Sequence, residues 1–186
     1  MDRRLELLQQ EVGSAISGLT SDQLTWHPPG KWCVAEVLEH LYLTYSGTLK
    51  GFQRVTEAKH SLCAMPPGKH LGRRFVVFGF NYLPSGREAP PVARPRGLPI
   101  GTVLTGIGPK ISEMDEMISL CEQQLGRGKL LDHPILGSLT ARQWRKFHLL
   151  HGRHHIKQIQ RLRQGSRGSD AARLRPQDAA RKQNPW

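Results

Sequence analysis

The sequence has little that ties it to an oxidising or membrane setting. Its three cysteines, Cys33, Cys63 and Cys121, are odd in number, far apart and without a C-x-x-C pairing. That pattern suits reduced thiols and excludes a disulfide scaffold or a thiolate metal site. No window approaches 18 uncharged apolar residues, and Met1 leads directly into Asp2-Arg3-Arg4 with no apolar signal-like run behind it. The expected location is therefore the cytoplasm, with no membrane partner. Also missing are an H-E-x-x-H pair, a G-x-x-x-x-G-K-[ST] phosphate loop and a G-x-S-x-G elbow, which sets aside zincins, phosphate-loop NTPases and serine hydrolases.

Acidic residues are the scarce charge, 15 against 27 Lys and Arg, for a net +12. Such an excess invites nucleic acid or an acidic partner. Between Arg163 and Trp186, however, six basic and two acidic residues hold +4 of it in a polar stretch. That composition predicts a disordered basic tail over 165–186 behind a single domain over 1–164.

What is present is helical periodicity. Leu5, Leu8, Val12, Ala15 and Ile16 predict a helix over about 2–18. The run from Trp32 through Val37, Leu41, Tyr45 and Phe52 predicts a long one over 32–59. A third is carried by Leu104, Ile107, Ile111, Met114, Ile118 and Leu125, with Gly108-Pro109 marking where its regular part begins. Thr140 and Gln143 form a capping box that opens a fourth, ending near Gln164-Gly165. Between the second and third, prolines cluster over 64–101, but Leu71, Phe75, Phe78 and Tyr82 keep a short helical rhythm. No period of two persists, so no sheet is expected. The fold class is all-α: a four-helix bundle with a loop and short-helix insertion between helices 2 and 3, long enough to let those two run parallel.

Four of the nine histidines lie close together: His148, His151, His154 and His155. On a helical wheel His151 and His155 fall inside the apolar stripe of the fourth helix and His154 at its margin. Imidazoles four residues apart project side by side, the spacing that grips one ion from a single helix. His40, at the edge of the second helix's stripe, offers a third ligand. Three neutral histidines leave a tetrahedral ion one open position, as in catalytic sites. The alternative is three ordinary interior histidines, although several polar rings in one stripe each need a partner and a shared ion satisfies them together. His148 is a further polar wall of such a site or a satisfied interior histidine, and Tyr42, Tyr45 and Trp144 are pocket or core aromatics.

The segment Trp32-x-x-Ala35-Glu36-x-Leu38-x-His40-Leu41, with His151-x-x-x-His155-x-x-Gln158 in the last helix, resembles the DinB-like (YfiT-like) metal-dependent hydrolase and thiol-dependent transferase superfamily. The resemblance covers residues 1–164. It implies a four-helix bundle, His40, His151 and His155 as ligands of one divalent ion, zinc or nickel first among them, and a small-molecule substrate with a low-molecular-weight thiol as a possible co-substrate. Where many members carry Arg-Gly-Gln after the last ligand, this chain has Ile156-Lys157-Gln158, which keeps the glutamine and loses the guanidinium. Glu36, one turn before His40, is a candidate catalytic group, either accepting the second ring proton of His40 or acting as a base; a solvated glutamate is the competing role.

A second function class rests on the fourth helix. Between Ala141 and Arg163 it has no Asp or Glu, and Arg142, Arg145, Lys146, Arg153, Lys157, Arg161 and Arg163 are expected to face away from the stripe. A non-enzymatic bundle could use that face to bind an acidic partner or nucleic acid. The absence of interleaved aromatics and of any nucleic-acid motif disfavours nucleic acid. An apolar stripe on the insertion would favour a homodimer.

Overall fold

The computed structural model describes residues 1–65, 70–83 and 88–173. Six α-helices and one two-stranded sheet follow in the order α1 (Arg3–Ile16), α2 (Ser21–Thr25), α3 (Val34–Ala58), α4 (Leu71–Gly79), α5 (Ile100–Leu125), β1 (Lys129–His133), β2 (Gly137–Thr140) and α6 (Ala141–Arg173). A single 3₁₀ turn, Pro91–Ala93, lies between α4 and α5. The architecture is mainly helical, as expected.

Local chemistry sets the element starts. The Asp2 carboxylate accepts the Arg4 N–H at 2.8 Å and opens α1. Thr20 and Gln23 form a reciprocal capping box for α2, a short helix between the two long ones expected over about 2–18 and 32–59. Thr140 and Gln143 do the same for α6, at 3.2 and 3.1 Å. Each box satisfies two of the N–H groups that a helix start leaves without partners.

The long helices α1, α3, α5 and α6 share one core in which Leu5, Leu8, Val37, Leu41, Tyr45, Phe52, Ile111, Met114 and Ile118 are buried. Cross-helix neighbours fix the directions. Thr56 of α3 meets Met117 and Cys121 of α5, and Gly106 of α5 faces Tyr42 of α3, so α3 and α5 run parallel. Their connection through α4 and the 3₁₀ turn supplies the crossover that a parallel pair requires. Phe52 against Trp144 and His40 against His155 make α3 and α6 antiparallel.

Several expectations are corrected. The hairpin β1–β2 is a sheet where none was foreseen; its antiparallel register pairs Leu131 with Leu139 and His133 with Gly137. With strands of four and five residues, alternation has no room to show above background. Helix α5 begins at Ile100 and runs through Pro109 instead of starting there. The proline removes one N–H from the ladder, but buried Ile107 and Ile111 on either side hold the helix through it. Helix α6 does not end at Gly165. It continues to Arg173, nine residues into the stretch expected to be disordered; residues 174–186 of that stretch lie outside the described residues. Gly165 marks a close approach here, since a Cβ at that position would stand 2.8 Å from the Trp26 ring, and the next residue, Ser166, is buried.

The basic face of α6 is corrected in part: Arg142, Lys157 and Arg161 are exposed and have no ion-pair partner among the described residues, but three of its other basic side chains are engaged. Arg145 is buried and binds Asp115 and Glu122 of α5, Arg153 pairs with Glu11 of α1 at 2.6 Å, and the Lys146 ammonium donates to the Phe78 carbonyl at 2.7 Å. The missing acids come from neighbouring helices, because α6 packs against α1, α3, α4 and α5. Among the described residues no helix is long and apolar enough to cross a membrane.

Candidate metal centre

Helices α3 and α6 cross so that the His40 ring meets those of His151 and His155, with centroids 5.2 and 4.7 Å apart. The contacts that matter are between Nε2 atoms. His40 Nε2 lies 3.3 Å from His151 Nε2, and His155 Nε2 lies 3.2 Å from the same atom. Two bonds of ~2.0–2.1 Å to a tetrahedral zinc subtend an N···N edge of about 3.3–3.4 Å. The observed separations match that edge, and one ligand atom from each of the three residues falls in a common cluster.

The far sides of the His40 and His155 rings show why their nitrogens are presented this way, while His151 Nδ1 has no partner among the described residues. His40 Nδ1 meets the Ala93 carbonyl at 2.8 Å. A carbonyl only accepts, so this nitrogen carries the proton and Nε2 is left with its lone pair. His155 Nδ1 lies 3.0 Å from Gln158 Oε1, which holds the same tautomer. Two lone pairs therefore point towards the Nε2 of His151. Without an ion, one N–H on that atom serves only one of them; a cation serves all three. Burial keeps the set neutral. It depresses the His40 pKa, pushes His155 down to about 3 and holds His151 well below the ordinary imidazole range, with neighbouring histidines adding to all three.

Residues 2–162 match the family model described as "Protein of unknown function (DUF1569)". The chain belongs to that family. No curated protein and no solved structure matches it. In this DUF1569 chain the triad opens into a cavity of about 570 Å³ walled by α3, α4, the 3₁₀ turn, the β1–β2 hairpin and α6, a volume in the range of small-molecule sites. Trp32 packs on His40 with centroids 5.4 Å apart, and Phe147 stacks on His151 at 5.3 Å.

Glu36 is placed differently from its expected role. Its carboxylate accepts the Cys33 N–H at 2.8 Å as the capping group of α3 and lies 3.5 Å from His27 Nδ1. The second ring nitrogen of His40 faces Ala93, not Glu36, because the inserted segment folds back over α3. Glu39, buried beside His40, fastens that segment by accepting the N–H groups of Arg96 and Gly97 at 2.8 and 3.1 Å.

Three participants were not legible as such. The Ala93 carbonyl carries no side-chain signal at all. Gln158 stands in the quoted motif, and its spacing of three from His155 is the signal for its contact. His133 forms part of the cavity wall, and its Nδ1 accepts the N–H groups of Ile135 and Leu136 at 3.1 and 3.2 Å, tightening the hairpin turn.

His148, next to the triad on α6, is fully buried, and neither ring nitrogen has a hydrogen-bond partner among the described residues. Burial pushes its pKa down to about 3 and that of His133 down to about 4. Both take up a proton more readily in the unfolded chain. Their contribution to stability is therefore whole above about pH 6.5 and is lost as pH falls towards 4 and below. A His148→Leu variant, close in volume, is expected to be at least as stable as the parent at pH 7 and to lose less stability between pH 6.5 and 4.5. Urea midpoints across that range check this; parallel loss in the two proteins refutes it.

Proposed function

We propose that this DUF1569 protein is a divalent-metal enzyme of the DinB-like type, a hydrolase or thiol transferase acting on a small molecule, with its four long helices forming the bundle that resemblance implies. The observation that carries the proposal is the pair of Nε2 separations, 3.3 and 3.2 Å, by which His40 and His155, their outer nitrogens anchored on Ala93 and Gln158, meet His151. All-imidazole ligation suits zinc or nickel. A bound ion of this kind supplies Lewis acidity and an activated nucleophile at its open position. The chain's own residues do the rest. His40, His151 and His155 hold the ion, Ala93 and Gln158 fix two of the ring tautomers, and Trp32 and Phe147 shield the site from bulk water. Against the basic-face reading stands the engagement of Arg145 and Arg153 with carboxylates of this same chain.

Titrating the untagged full chain with Co(II) and with zinc tests the proposal. The expected result is one ion per chain and the visible absorption of four-coordinate Co(II), with removal by a chelator leaving the helical circular dichroism and melting behaviour of a folded protein. Binding well below one ion per chain refutes the site. If chelation melts the helices, the ion is structural and the catalytic reading falls.

A further inference from the structure

The charges around the cavity are unequal in how far they are already engaged. Two carboxylates form part of its wall, and both are occupied. Asp132 accepts from the Ala64 and Met65 N–H groups and the Ser138 hydroxyl at 2.7, 2.9 and 2.6 Å, and Glu88 pairs with Arg94 at 2.7 Å. Arg54 of α3 and Arg73 of α4, both exposed, are among the residues that line the same cavity. Neither has an ion-pair partner among the described residues. The triad itself contains no carboxylate, so an ion held there keeps its full double charge. The wall carboxylates already accept hydrogen bonds or an ion pair from this chain, whereas the two arginines have no ion-pair partner among the described residues.

The walls between these charges are apolar, with Leu43, Val76, Val77, Leu131, Ile135 and Leu136 among them. Arg54 stands fourteen residues after His40 on the same helix, roughly 21 Å along its axis at 1.5 Å per residue. A ligand that touches both the triad and Arg54 is therefore elongated, with its reacting group and its anionic end far apart.

From this juxtaposition we infer that the site takes an amphiphilic anion, a molecule with a hydrocarbon body along the apolar wall and a terminal carboxylate or phosphate received by Arg54 and Arg73. The assignment deepens the metal-enzyme reading and rests on it only for which end of the molecule reacts. Guanidinium groups suit both anions, because their paired N–H donors match carboxylate and phosphate oxygens. A largely apolar wall carrying two arginines without ion-pair partners disfavours the matching cation by repulsion and gains little extra from a neutral alcohol.

Isothermal titration of the metal-free full chain with four ten-carbon probes tests this: decanoate, decyl phosphate, decan-1-ol and decyltrimethylammonium, each below its micellar concentration. Without metal, an anion has no cation at the triad to favour it. The expected result is that decanoate or decyl phosphate binds at least tenfold more tightly than decan-1-ol, and that the ammonium probe binds most weakly. The tighter of the two anions identifies the head group. In the double variant Arg54→Gln, Arg73→Gln the anion margin is expected to disappear while decan-1-ol binding stays as in the parent. Equal binding of anion and alcohol, preference for the cation, an anion margin that survives the double variant, or no binding of any probe overturns the inference. Zinc titration of the same preparation separates the two readings. One zinc per chain without an anion margin overturns this inference alone, and an anion margin without zinc binding overturns the metal reading alone.

Discussion

Replacing His151 with alanine is expected to lower zinc affinity by at least a hundredfold while the helices remain folded. His151 is the hinge of the triad, because its Nε2 is the atom that both other histidines approach, at 3.3 and 3.2 Å. Removing it leaves His40 and His155 as a two-ligand remnant on different helices, and zinc sites with an open position ordinarily use three protein ligands. The fold is expected to survive because the ring's hydrogen-bond contacts among the described residues are with the other two histidines alone, and its Nδ1 has no partner there. Glu36→Ala is the matched control. It strips the acceptor from the Cys33 N–H at the start of α3, so it is expected to cost about 1 kcal/mol of stability, in the range of lost helix caps, and to leave zinc affinity unchanged. Competition against a chromophoric chelator and urea unfolding separate the two effects. Parent-like zinc affinity in His151→Ala would remove the basis for a metal site at this triad.

The same residues show what a sequence can carry. His151 and His155 were readable because two positions on one helix obey a fixed period, and His40 because the edge of an apolar stripe in a packed helix must face a neighbour. The distance between α3 and α6 is not local, and neither is the Ala93 carbonyl, which reaches His40 only because Glu39 fastens the chain at Arg96 and Gly97. Glu36 was misplaced for a related reason. Its spacing of three from Cys33 fits a capping box and its spacing of four from His40 fits a ring partner, and periodicity alone does not choose between them. At Pro109 and Gly165, residues that usually end helices are overridden by packing on Ile107, Ile111 and Trp26. Propensity of that kind amounts to a few kcal/mol at most, and tertiary burial outweighs it.

Arg145 is the position where sequence reasoning erred most and where stability is most exposed. Its guanidinium donates to Asp115 Oδ1 at 2.7 Å, to Glu122 Oε2 at 2.8 Å and to the Ser119 hydroxyl at 2.7 Å, so all three nitrogens are engaged with one face of α5. Asp115, 1% exposed, also accepts the Asp2 N–H, and the network thereby ties the start of α1 to α5 and α6. Arg145→Met removes the cation and leaves a buried carboxylate without its countercharge, which typically costs 3–5 kcal/mol. Removing both charges restores balance: Arg145→Met with Asp115→Leu is expected to recover more than half of the loss, short of full recovery because the Asp2 N–H then lacks its acceptor. Urea unfolding of the parent, the single variant and the double variant measures this, with the denaturant slope showing whether each unfolds as one unit. A single variant that loses under 1 kcal/mol would mean that the ion pair is an exposed and screened contact. A double variant no better than the single would place the cost in lost packing of the long arginine side chain, and not in the charge left behind on Asp115.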